Sequence, residues 1–152
     1  MLEAVLRDLD SRWIPHLEVA VHRPLRGVID LVLHDPVANL LVAHEAECTI
    51  RRLELQIRWS RQKAEGLAFD TRWTAMAPRV SQVLILRSTS ETRELAHAVP
   101  AVLAAAYPGS PEAALASLQS TAPWPGDTLL WARVEAGRAV LVSDPSGRVR
   151  RR

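Results

Sequence analysis

The sequence predicts an α/β domain, and three observations carry that reading. Two apolar runs, residues 27–33 and 40–47, flank a turn-like linker at 34–39, the pattern of a β-hairpin. Residues 49–67 repeat apolar side chains at helical spacing. Residues 80–87, VSQVLILR, form a short unbroken apolar run suited to a buried strand. The predicted order is α-β-β-β-α-β followed by a helical segment and a β-hairpin, which gives a mixed central sheet flanked by helices.

Taken in order, Leu2, Val5, Leu6 and Leu9 place an amphipathic helix over 2–12, stopped by Pro15. Residues 17–22 alternate as a first strand, and Pro24 and Gly27 bracket the turn into the hairpin. In the long helix, Ile50, Leu53, Ile57, Ala64 and Leu67 or Ala68 form the stripe that faces the sheet. Residues 91–107 read as an Ala-rich helix bent at Pro100, and 111–118 as a short helix. Pro123 and Pro125 mark a loop around Trp124, after which 129–135 and 138–143 close a hairpin across Ala136 and Gly137. The reading is of one domain over 1–147, with 148–152 (RVRRR) as a flexible basic tail.

With 152 residues the chain is large enough for a single sizeable core, and an apolar fraction of 48% against 24% charged fits a globular protein. A net charge of +2 does not by itself point to nucleic acid. Lys63 is the only lysine, so a mechanism that needs an ammonium group has one source. Cys48 is the only cysteine, which excludes an internal disulfide and a cysteine-rich zinc site. His22, His34 and His44 lack the paired spacing of zinc ligands. No glycine-rich phosphate loop, G-x-S-x-G elbow or Ser/His/Asp set is present. The charged N-terminal stretch has no signal-peptide core, and no run is long enough to span a bilayer, so a cytoplasmic protein is expected.

The hairpin carries acids where a buried strand ordinarily carries Val or Leu. A turn centred on Val37 sets Asp30 opposite Glu45 on one face of the sheet, and Glu47, two residues on, shares that face. Three carboxylates together repel one another and invite a neutralising partner, most often a metal. A divalent ion with one or two carboxylate ligands activates water and offsets phosphate charge in phosphodiester hydrolysis. Asp30 and Glu45 suit that task, with a backbone carbonyl near Ala46 and the first-strand Glu18 as further ligands.

At these residues the chain resembles the PD-(D/E)xK nuclease superfamily, the restriction-endonuclease-like proteins, and most of all small nuclease-like domains found in actinobacteria. The resemblance rests on Arg26–Asp30 (RGVID), His34–Pro36 (HDP) and Glu45–Glu47 (EAE), with Arg51, Arg52, Leu53, Glu54, Arg58, Trp59 and Lys63 in the following helix. It implies a restriction-endonuclease-like fold, Mg2+ or Mn2+ as cofactor, Asp30 and Glu45 as metal ligands, and DNA as substrate, with RNA not excluded. Members of the superfamily often act as dimers. The departure is Glu47, where the superfamily has a lysine that positions the attacking water. In an E-x-E variant Glu47 serves as general base or as a ligand for a second metal. The lost positive charge is then sought on the helix, where Gln56, Ser60 and Lys63 lie along one flank.

Two readings of function stand side by side: a metal-dependent endonuclease, and a catalytically degenerate module that binds DNA or a regulatory partner. In the second, Arg51, Arg52 and Arg58 face phosphates or an acidic partner. The same arginines also read as a solvated helix face paired with Glu54 and Glu65. Trp59 and Trp73 read either as packing residues or as stacking platforms for bases, and Cys48 as a small buried residue.

Overall fold

The computed structural model describes residues 1–146. The final residue assigned to the domain, 147, and the basic tail 148–152 lie outside the described residues. The elements are α1 (Leu2–Leu6), β1 (Ile14–Val21), β2 (Gly27–Asp35), β3 (Leu40–Glu47), α2 (Leu53–Gly66), β4 (Arg79–Arg87), α3 (Ser90–Ala98), α4 (Pro100–Ala106), α5 (Pro111–Gln119), β5 (Thr128–Glu135) and β6 (Arg138–Val142). Two single 3₁₀ turns, Leu67–Phe69 and Thr74–Met76, follow α2. The strands form one mixed sheet in the order β1-β2-β3-β4-β5-β6. β3, β4 and β5 run parallel to one another, and the other neighbours are antiparallel. Each parallel step requires a crossover, supplied by α2 and then by α3–α5.

Alternation along the strands divides the core into two sides. Leu40, Val42, Val83, Ile85 and Leu130 face Val5 of α1, Ala114 and Leu118 of α5, and Trp13. Leu41, Ala43 and Val32 face Ala64 and Leu67 at the end of α2, while Leu84, Leu86 and Trp131 face Leu53, Leu103 and Tyr107. His44 projects to the first side, fully buried beside Trp124. Burial pushes its pKa down to about 4, so it is a neutral core residue at pH 7.

Several elements differ from the sequence reading, each for a local reason. α1 stops at Leu6, because the Asp10 carboxylate accepts the Arg12 N–H in a turn that directs Trp13 into the core. β1 begins at Ile14 and runs through Pro15, which an edge strand tolerates. α2 starts at Leu53 rather than Thr49; Ile50 is buried from an extended linker, so Arg51 and Arg52 precede the helix. The helix expected over 91–107 is two, broken at Val99 with Pro100 opening the second. Cys48 is exposed, not buried.

Two close approaches fix where α2 lies. A Cβ on Gly66 would come within 2.5 Å of the Arg23 carbonyl oxygen and 3.0 Å of Val21 Cβ. A Cβ on Gly27 would meet Lys63 Cδ at 3.0 Å. The last turn of α2 therefore rests on the β1–β2 connection because two glycines leave space for it. Gly66→Ala is expected to lower stability by about 1–3 kcal/mol through overpacking against backbone. Chemical denaturation checks this, and an unchanged midpoint would show that the helix end is not seated there.

Candidate active site

The site forms where β2 and β3 part. Their antiparallel pairing runs from Asp35↔Leu40 to Leu31↔His44 and then stops. The next residues in that register are Asp30 and Glu45, as the hairpin pattern predicts. Here a side chain replaces a ladder bond: the Ala46 N–H donates to Asp30 Oδ2 at 2.9 Å. On the other side of β2, the β1 ladder keeps its register from Leu17↔Leu31 to Val19↔Ile29 but omits Glu18 and Asp30. Glu18 has a left-handed backbone, φ 51°. Such a conformation costs a non-glycine residue about 1–3 kcal/mol. The strand phase changes at the same point, since Ile29 and Val32, three residues apart, both face the α2 side.

Lys63 fills the gap. Its Nζ lies 2.6 Å from Glu45 Oε1 and donates to the Val28 carbonyl at 3.0 Å, so one ammonium bridges β3 and β2. The pair is largely removed from water, with the two side chains 15% and 7% exposed. Gln56, two turns earlier on α2, donates from Nε2 to Glu47 Oε1 at 2.7 Å. Two side chains of that flank, Gln56 and Lys63, thus reach the carboxylates, and Lys63 brings the positive charge from the helix.

Electrostatics show what this leaves unbalanced. Burial raises the Glu45 pKa to about 7; Lys63 opposes the rise, and Asp30 and Glu47 add to it. Burial and the Asp30 charge also raise that of Glu47. One ammonium serves three carboxylates, so the fully ionised site carries an excess of negative charge suited to a divalent ion. Among the described residues no three His, Cys, Asp or Glu side chains group as a metal cage. An ion at this point would rest on Asp30 and Glu45 and complete its shell from water and substrate, the usual habit of magnesium. Glu18 stands across from Asp30 but is exposed, with no hydrogen-bond or ion-pair partner among the described residues.

The arginines separate into two groups. Arg51 and Arg52 line a groove of about 280 Å³ at the start of α2, together with Gln56 and Trp59. Arg58 lines a different groove, between α2 and α4. All three are exposed. Trp73 is 2% exposed and packs edge-on to His16 with ring centres 5.1 Å apart, so it offers no stacking platform. Trp59, at 45%, stays open.

A second polar group escaped the sequence reading. Asp127 accepts from Ser81 Oγ, the Gln82 N–H and Gln82 Nε2, and Trp124 Nε1 donates to Ser81. It ties the loop before β5 to β4, and no spacing signal announces it. Comparison with family models, with curated proteins and with solved structures finds no match for this chain. Among the described residues no helix is long and apolar enough to cross a membrane.

Lys63→Met removes the counter-charge of a buried carboxylate, and a loss of about 3 kcal/mol is expected at pH 8. The loss should shrink at pH 5.5. Glu45 has a folded pKa of about 7, above its ordinary 4.5. Its protonated form is therefore favoured in the folded state, and the associated stability is complete below pH 4.5 and lost as pH rises through 7. Without Lys63 that rise in cost steepens. Urea titrations of both proteins at the two pH values test this; an equal loss at both would mean that the pair carries no net electrostatic stabilisation.

Proposed function

We propose that the chain is a metal-dependent phosphodiesterase domain of the PD-(D/E)xK type acting on DNA, with RNA as an alternative polymer. The observation that carries the reading is the 2.6 Å contact of Lys63 with Glu45, which supplies from α2 the positive charge lacking at Glu47. The order α-β-β-β-α-β and the mixed sheet support a restriction-endonuclease-like fold.

In this reading Asp30 and Glu45 hold Mg2+ or Mn2+, which supplies Lewis acidity toward water and phosphate. Glu47, oriented through Oε1 by Gln56, accepts the proton of the attacking water; burial and the Asp30 charge raise its pKa, the direction that strengthens a base. Lys63 offsets the charge that builds on the phosphate as the P–O bond breaks and the leaving oxygen takes a proton from solvent water.

Calorimetry with Mg2+ or Mn2+ should give binding that is lost in Asp30→Ala and in Glu45→Ala. Because Glu45 must lose its proton to bind a cation, affinity should rise about tenfold from pH 6 to pH 8. Cleavage retained by Asp30→Ala would overturn the hydrolase reading.

One observation favours the non-catalytic alternative. Each carboxylate already has a partner: Asp30 the Ala46 N–H, Glu45 Lys63 and Glu47 Gln56. A site satisfied in this way is compatible with a module that only binds DNA or a regulatory partner. That reading expects salt-sensitive DNA binding without turnover under any divalent ion, weakened when Arg51, Arg52 and Arg58 become alanine. Binding indifferent to those changes would count against it.

A further inference from the structure

The groove at the start of α2 has features that phosphodiester hydrolysis does not require. It is lined by Ile50, Leu55 and the exposed Trp59 together with Arg51 and Arg52. Its remaining polar residues are Thr49 and Gln56, and Gln56 also donates to Glu47. The groove and the carboxylate centre therefore share a side chain. No carboxylate lines the groove, so its charge is positive, whereas the adjoining centre is acidic.

These features select the occupant. An apolar slot with an open indole suits a flat, weakly polar ring, and paired guanidinium groups suit a phosphate. A volume of about 280 Å³ is at the lower end for ligand pockets, enough for a small planar group but not for a folded partner's surface element. A base inside a duplex has both faces covered by its neighbours and cannot reach Trp59, whereas an unpaired base can. We propose that this groove binds an unpaired nucleotide, its base stacked on Trp59 and its phosphate held by Arg51 and Arg52. Single-stranded or frayed nucleic acid is then led along Gln56 to the carboxylates. This rests on the hydrolase reading for what happens at the carboxylates, but not for the binding itself.

The test uses the full chain with EDTA present, so that binding is measured without cleavage. Fluorescence anisotropy compares a labelled oligothymidylate with a hairpin duplex. The wild type should prefer the single strand. Trp59→Ala should weaken single-strand binding about tenfold while changing duplex binding less than about twofold, and Trp59→Phe should recover most of the loss. Arg51→Ala with Arg52→Ala should weaken binding and flatten its salt dependence. Circular dichroism and melting confirm that each variant is folded.

Equal binding of both probes by the wild type, an unaffected Trp59→Ala variant, or no binding by the folded chain would each overturn the proposal. So would displacement of the probe by polyglutamate as readily as by unlabelled oligonucleotide, which would assign the groove to an acidic protein partner. A parallel cleavage screen with Mg2+ and Mn2+ separates the two readings. Trp59-dependent single-strand binding without turnover removes the hydrolase and leaves the groove. Turnover unimpaired by Trp59→Ala, with no strand preference, does the reverse.

Discussion

The parting of β2 and β3 beyond Leu31 and His44 is the constraint on which the site depends. Antiparallel strands that separate leave backbone N–H and C=O groups without ladder partners, and inside a protein such groups must be satisfied another way. Here the Asp30 carboxylate takes the Ala46 N–H and the Lys63 ammonium takes the Val28 carbonyl. The same two side chains that would serve chemistry therefore close the seam in the sheet. Removing either one disturbs the backbone as well as the charge. Glu18, with its left-handed backbone opposite Asp30, marks the β1 side of the same disturbance.

Charge at the seam is tolerated because the apolar core on the α2 side is already divided. Val80 packs with one cluster and Leu84 with another, and Gln82 lies between them on β4. On α2, Ile57 belongs to the second cluster and Ala64 to the first, with Ser60 between. A polar belt follows this boundary, made of Glu45, Lys63, Ser60 and Gln82. Ser60 Oγ and Gln82 Oε1 are buried and have no protein partner among the described residues, and neither has the Tyr107 hydroxyl in the second cluster. Groups of this kind are costly when dry, so the belt is the part of the core with least stability to lose by hydration. Burial raises the Tyr107 pKa and the nearby Asp127 charge adds to the rise, which keeps the phenol neutral.

Legibility in the sequence followed the range of the interaction. The hairpin register was readable because one turn fixes the pairs beyond it, and the observed ladder keeps that register up to Leu31↔His44, one step short of Asp30 and Glu45. The buried strands were readable from their apolar runs, and the α2 stripe from Leu53 onward from its period. The start of α2 was not, because Ile50 is drawn into a cluster built from β4, β5 and α4, and no local pattern records that pull. Trp73 and Trp59 look alike in sequence, yet the fold buries one beside His16 and leaves the other open. Arg51, Arg52 and Arg58 read as one basic group, yet the late helix start and the helical turn send them to different grooves. The reach of Lys63 to Glu45 was implied only as a flank, since helix spacing gives a direction but not the height of the helix above the sheet.

That height is set by Gly66 and Gly27, and with it the position of the Lys63 ammonium over the seam. A lysine at 47 would depend only on the strand that carries it. Lys63 depends on α2 being seated against the β1–β2 connection, where Gly66 approaches the Arg23 carbonyl and Gly27 leaves room for the lysine stem. The electrostatics of the carboxylates are thereby linked to the docking of a helix some twenty residues away in sequence. Gln56 belongs to the same rigid element, so Glu47 is oriented by the same docking event. Any displacement of α2 acts on the surroundings of Glu45 and Glu47 together. The helix thus carries both the groove residue Trp59 and the side chains that neutralise and orient the acidic seam.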